Sequence, residues 1–145
     1  MENSTFFYET LVEWKEGRVG ELSEPTMPAI TVATPPEFPK GVPNTWSPEH
    51  LYVASVNICL MTTFLAIAEN SKLNFISYSC SGRGKLEKVD RRFMISEIEL
   101  RPKIVVPPDN SSERANRIIF KAEEHCLISN SIKTKVSIFP DITVA

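Results

Sequence analysis

The side chains that could do chemistry in this 145-residue sequence begin with three cysteines, Cys59, Cys80 and Cys126. A free cysteine is by default a small buried hydrophobe, and it becomes a nucleophile only as a thiolate. Cys59 stands midway along an apolar segment, Cys126 on the apolar stripe of an amphipathic one, and Cys80 sits in the strand-like run Tyr78-Ser79-Cys80-Ser81. The odd count, with no CxxC or CxxxC spacing, argues against a secreted disulfide scaffold and against a zinc knuckle. His50 and His125 do not alter this: no pair has zinc-site spacing, and the adjacent His125 and Cys126 cannot easily face one ion, so no metal is expected. In a reducing compartment such cysteines are either inert core residues or chemically employed.

Composition narrows the setting. The hydrophobic fraction of 42% and charged fraction of 23% are those of an ordinary soluble domain, so one domain spanning residues 1–145 is expected. A formal net charge of −2 leaves no general field for nucleic acid. The opening Met1-Glu2-Asn3-Ser4-Thr5 lacks the basic-then-apolar order of a secretory signal, and a cytoplasmic location is expected.

The elements that must position these residues can be read from periodicity. Residues 5–14 alternate with period two and predict a strand, Glu16-Gly17-Arg18 turns the chain, and strands follow over 19–23 and 29–33. Pro35, Pro36, Pro39, Gly41 and Pro43 make residues 34–47 an ordered loop. Ser47-Pro48-Glu49 is a strong helix start: a capping hydroxyl, a proline suited to the first helical position, and an acid at the positive end of the dipole. The helix should run over 48–70.

Its body, residues 51–68, is apolar nearly all the way round, so it is either wrapped by protein or immersed in lipid. Ser55, Asn57, Thr62 and Thr63 interrupt it and no basic or tryptophan anchors flank it, which favours burial by sheets or by a second subunit over a membrane span. Two long strands are expected over 74–89 and 91–106, with a bulge at Gly82 and Gly84. A second helix follows, capped by Asp109, Asn110 or Ser111, with Ala115, Ile118, Ile119, Ala122 and Cys126 on its apolar stripe. A last strand covers 134–139. The order β-β-β-α-β-β-α-β is an α+β layout without regular βαβ alternation.

Two stretches carry a family likeness. Trp46-Ser47-Pro48-Glu49-His50-Leu51 followed by Cys59 resembles the OsmC/Ohr pattern, a Pro-Glu-x-Leu helix start with a cysteine downstream. Cys126-Leu127-Ile128-Ser129-Asn130-Ser131 resembles that family's second signature, a cysteine followed by x-x-Ser-Asn-(Ala/Ser). Gly17-Arg18-Val19-Gly20 and Thr34-Pro35-Pro36-Glu37-Phe38 resemble its glycine-arginine turn and proline-rich loop. Leu127-Ile128 stand where the organic hydroperoxide branch carries Pro-Tyr, and Val56-Asn57-Ile58 before Cys59 also depart from it, which places the chain in an OsmC-like subgroup.

The resemblance implies an intertwined homodimer of α+β domains, with the long helix buried at its centre. It also implies a thiol peroxidase acting on organic hydroperoxides, with hydrogen peroxide a second candidate. Cys59 would attack the peroxide and become a sulfenic acid, Cys126 would condense with it to a disulfide, and an external dithiol would reset the pair. In the organic hydroperoxide branch that dithiol is a lipoylated protein; no bound cofactor is implied. Arg18 is the family-matched cation for the Cys59 thiolate, with Glu49 holding its guanidinium by a two-pronged ion pair. Phe38, Trp46, Leu60, Met61 and Phe64 are the expected apolar pocket. The competing reading is a non-enzymatic dimer that binds a small apolar molecule or senses redox state.

Overall fold

A computed structural model describes residues 4–145. The order is β1 (Leu11–Glu16), β2 (Val19–Glu24), β3 (Met27–Ala33), α1 (Pro48–Asn70), β4 (Ser77–Val89), β5 (Arg92–Val106), α2 (Ser111–Glu124), a 3-10 turn (Ser129–Ser131), β6 (Lys135–Ile138) and β7 (Asp141–Val144). This is the expected α+β order with one further strand at its end. The chain forms two compact units, one ending at Leu51 and one running from Tyr52 to Ala145.

In the first unit β1, β2 and β3 make an antiparallel sheet in that order. The strand expected over 5–14 begins only at Leu11 and continues to Glu16, because β2 offers partners to residues 11–16 and none further back. Gly17 and Arg18 form the two-residue connection to β2, and Gly17 takes a φ of 51°, a left-handed geometry that glycine adopts without a Cβ penalty. The Trp14 indole N–H closes this turn on the Gly17 carbonyl at 3.0 Å. The proline-rich loop is tied down by backbone bonds: Val42 N–H donates to Thr34 at 2.9 Å and Ala33 N–H to Trp46 at 2.9 Å. Ser47 Oγ then caps α1 by accepting the His50 N–H at 3.1 Å.

The second unit holds the core. β4 and β5 pair antiparallel through the two-residue turn Asp90-Arg91, both at positive φ as a type I′ hairpin needs. Ile98, Leu100, Pro102, Ile104 and Val106 alternate along β5 onto one buried face. Against it pack Val56, Leu60, Phe64 and Ala68 from α1 and Ala115, Ile118, Ile119 and Ala122 from α2. By length and composition α1 is apolar enough to cross a membrane; here one of its faces belongs to this core, and Ile58 and Leu65 on another are exposed.

Gly82 and Gly84 are not a bulge. They pair regularly with Leu100 and Ile98, and the register shift falls at Lys85/Leu86. Their smallness serves α1: a Cβ on Gly82 would lie 3.2 Å from Asn57 Nδ2, and one on Gly84 would lie 2.5 Å from Val53 Cγ2.

β6 and β7 both run parallel to β5, β6 along residues 97–100 and β7 along 103–106. The Leu100 carbonyl accepts the Phe139 N–H at 2.8 Å, so residues of this parity turn their backbone groups to that edge. Pro102, which has no N–H, falls where Phe139 and Pro140 separate β6 from β7. One interruption thus matches another, and a proline is accommodated inside a central strand.

Candidate active site

α1 presents Cys59 on the face it shares with Val56, Leu60 and Phe64, and the cysteine is 8% exposed. Thr63, one turn on, places Oγ1 at 3.9 Å from its Sγ, and the Cys59 carbonyl accepts the Thr62 hydroxyl at 3.2 Å. Cys126 is fully buried. It does not lie on the α2 stripe as expected: α2 ends at Glu124, His125 is its C-cap, and Cys126 opens the turn beyond. That turn is fixed by Cys126 N–H to Glu123 O at 3.2 Å and Asn130 N–H to Cys126 O at 3.0 Å.

Both cysteines are free thiols, and the structure brings them together. Burial pushes the Cys126 thiol above the ordinary cysteine value, the neighbouring Cys59 thiol pushes it the same way, and Ser129 opposes both through its backbone and its hydroxyl. These influences favour the protonated thiol form of Cys126. Cys80, half-buried on β4, is likewise held up by burial, against the opposing influence of the Tyr78 hydroxyl and the Arg101 backbone.

Arg18 and Glu49 meet in the first unit, where they line a cleft of about 380 Å³ with Thr34, Pro35, Phe38, Pro39 and Pro48. The expected two-pronged ion pair is not formed: among the described residues no salt bridge joins them, and Glu49 Oε1 is buried without a hydrogen-bond partner. The physical reason is placement. Arg18 is an exposed hairpin-tip residue whose guanidinium gains little from leaving water. Phe38 shares this cleft, whereas Trp46 lines another, of about 560 Å³, with Pro36, Glu37, Pro43, Asn44, Thr45 and His50. His50 is engaged there, its Nδ1 at 2.7 Å from Ser47 Oγ and its ring edge-on to Trp46. Leu60 and Phe64 are fully buried core residues, Phe64 stacking near Phe75 and Tyr78 at 5.3 and 5.2 Å between ring centres; Met61 is half-buried.

Sequence reasoning missed a set of buried polar atoms in the second unit, on Asn57, Tyr78, Glu123 and Ser129. Only Ser129 carried a signal, as part of the Ser-Asn signature. Asn57 read as an interruption of an apolar helix; in the folded chain its Nδ2 donates to the Cys80 carbonyl at 3.1 Å. Tyr52 is tied similarly: Thr134 gives its hydroxyl proton to the Ile95 carbonyl at 2.6 Å, so the Tyr52 hydroxyl donates to Thr134 Oγ1 at 2.6 Å.

The family model described as OsmC-like protein matches residues 41–139. No curated protein sequence matches the chain. Among solved structures, an OsmC-like protein of unknown function from Vibrio cholerae superposes with a TM-score of 0.85 at 23% identity, over 94% of this chain and 99% of that one. An organic hydroperoxide resistance protein OsmC from Legionella pneumophila gives 0.73 at 21% identity, over 96% and 99%. An organic hydroperoxide resistance protein from Elizabethkingia anophelis gives 0.75 at 19%, over 98% and 100%. At these identities the likeness speaks for the fold, and the family match covers well over half of the sequence. With the two cysteine signatures carried on the α1 start and the turn after α2, the chain belongs to the OsmC-like family.

Proposed function

We propose that this protein is a cysteine-based hydroperoxide reductase, Cys59 being the attacking thiol and Cys126 the resolving one. The observation that supports it best is the adjacency of two free, buried thiols, one of them favoured in its protonated form. Two of the structural neighbours are named organic hydroperoxide resistance proteins, which favours an organic hydroperoxide as substrate. In this reading the Cys59 thiolate displaces alcohol from the peroxide and keeps the distal oxygen as a sulfenic acid, and Cys126 condenses with it, releasing water. An external dithiol then reduces the disulfide in a reducing compartment such as the cytoplasm.

Arg18 is proposed as the cation that favours the Cys59 thiolate. A homodimer is proposed as the working form, since Ile58 and Leu65 of α1 and Leu11, Val12 and Trp14 of β1 are apolar and exposed.

The test is turnover of cumene hydroperoxide with excess dithiol. Cys59→Ser should abolish it, and Cys126→Ser should allow one attack per chain and then stall. Wild-type rates in both variants would remove the cysteines from the function and leave the binding or sensing reading.

A further inference from the structure

Buried polar atoms are nearly always hydrogen-bonded, and exceptions ask for a use. In the second unit Asn57 Oδ1, Tyr78 Oη, Glu123 Oε2 and Ser129 Oγ are buried without closing such a bond. Two of them flank the resolving cysteine. Glu123, Cys126 and Ser129 recur at intervals of three through the end of α2 and the following 3-10 turn, held by the backbone bonds from Cys126 to Glu123 and from Asn130 to Cys126. The Ser129 hydroxyl stands near enough to both neighbours to act on the Glu123 carboxyl and on the Cys126 thiol, without closing a hydrogen bond to either in the resting protein.

Glu123 is poorly placed for stability. It lies in the last turn of α2, where the helix dipole disfavours negative charge, and among the described residues no ion pair compensates it. The titratable groups around it are Tyr78 from β4 and, through Ser129, Cys126; Cys80 faces Tyr78 in turn, and Cys59 of α1 faces Cys126.

We propose that Glu123, acting through the Ser129 hydroxyl, accepts the Cys126 proton when that thiol closes a disulfide with Cys59. Cys126 Sγ gives up its proton to Ser129 Oγ, Ser129 passes its own to Glu123, and the freed electron pair on Cys126 Sγ attacks Cys59 Sγ. In the sulfenic acid the Cys59 S–O bond breaks as the S–S bond forms, and the departing hydroxide takes the proton from Glu123 to leave as water. Cys126 sulfur is oxidised and Cys59 sulfur reduced, with no further reactant needed. Burial lifts the Glu123 carboxyl above the ordinary glutamate value, which makes it a stronger acceptor than an exposed carboxylate. Because it acts through Ser129, Glu123 is a positioning residue for the proton.

The role of this step in a catalytic cycle rests on the peroxidase reading, but the disulfide closure does not need peroxide. The test therefore loads Cys59 with a small methanethiosulfonate reagent and follows, by intact mass across pH, collapse of the methylthio adduct into the Cys59–Cys126 disulfide as methanethiol leaves. Wild-type collapse should be level through neutral pH. Glu123→Gln should slow it about a hundredfold there, the lower end of what a placed base contributes, and the deficit should shrink as rising pH ionises Cys126 unaided. Glu123→Asp should recover part of the loss. An unchanged rate in Glu123→Gln, slowing by one factor at every pH, or a wild-type adduct that never collapses would each overturn the proposal. Normal collapse in a protein that consumes no peroxide would instead overturn the peroxidase reading alone.

Discussion

The first unit is a sheet whose first strand turns its apolar residues outward, and the second is a core whose reactive residues face inward. β1 exposes Leu11, Val12 and Trp14, the last at 77%, and among the described residues of the first unit no fully buried apolar side chain is larger than those of Ala33 and Pro35. β5 buries every second residue from Ile98 to Val106. The difference separates two tasks. The second unit can stabilise itself and can hold thiols in an environment that sets their protonation; the first presents Arg18 and Glu49 in an open cleft and has little burial of its own to hold it folded.

The largest effect should come from breaking that self-sufficiency. Phe64 is fully buried between Phe75 and Tyr78, so Phe64→Ala should cost about 3–5 kcal/mol in chemical denaturation, whereas Trp14→Ala should stay within about 0.5 kcal/mol. Both tryptophans, Trp14 and Trp46, lie in the first unit, so indole fluorescence reports that unit while far-ultraviolet circular dichroism reports the whole. With no core of its own, the first unit should unfold with the second, and both signals should shift together in Phe64→Ala. A fluorescence transition that stays in place would show that the sheet stands alone and would break the comparison.

A smaller effect follows at the glycines. An alanine at position 84 would bring its Cβ to 2.5 Å from Val53 Cγ2, and Val53 is a β-branched helical residue with little rotamer freedom. Gly84→Ala should destabilise the chain by about 1–3 kcal/mol. Adding Val53→Ala should return most of that loss, since the cost lies in one contact. If the double variant is as unstable as the sum of the two singles, the closeness of α1 to β4 is not what Gly84 provides.

The glycines also mark where sequence and structure part. Read locally, Gly82 and Gly84 suggest a bulge; their reason is tertiary, a helix passing close over a regular ladder. What is local was legible: the Ser47-Pro48-Glu49 cap starts α1 at Pro48, and the Gly17 turn joins β1 to β2. β7 was not, because four residues after Pro140 become a strand only by pairing with the far half of β5. Cys59 and Cys126 could be singled out by their signatures, whereas the Arg18–Glu49 pair asked for a side-chain geometry that no spacing encodes. Glu123 was invisible for a related reason: an acid near a helix end looks solvated until the fold buries it.

That burial gives the smallest of these effects and the most specific to the second unit. Desolvation raises the Glu123 carboxyl above its ordinary value, and the Ser129 hydroxyl only partly opposes it. A carboxyl whose folded value is raised favours the folded state in its protonated form. Its contribution is fully present below the ordinary glutamate value of about 4.3 and is lost as pH rises through the raised one. Glu123→Gln, neutral at every pH, should therefore have a higher unfolding midpoint than wild type at neutral pH, with the gain shrinking to near zero in acid. The same substitution is expected to slow disulfide closure, so a stability gain and a kinetic loss would appear together in one variant, which a packing defect cannot produce. A midpoint difference that does not change with pH would mean that the Glu123 carboxyl is not desolvated by the fold, and the contrast between the two units would not extend to it.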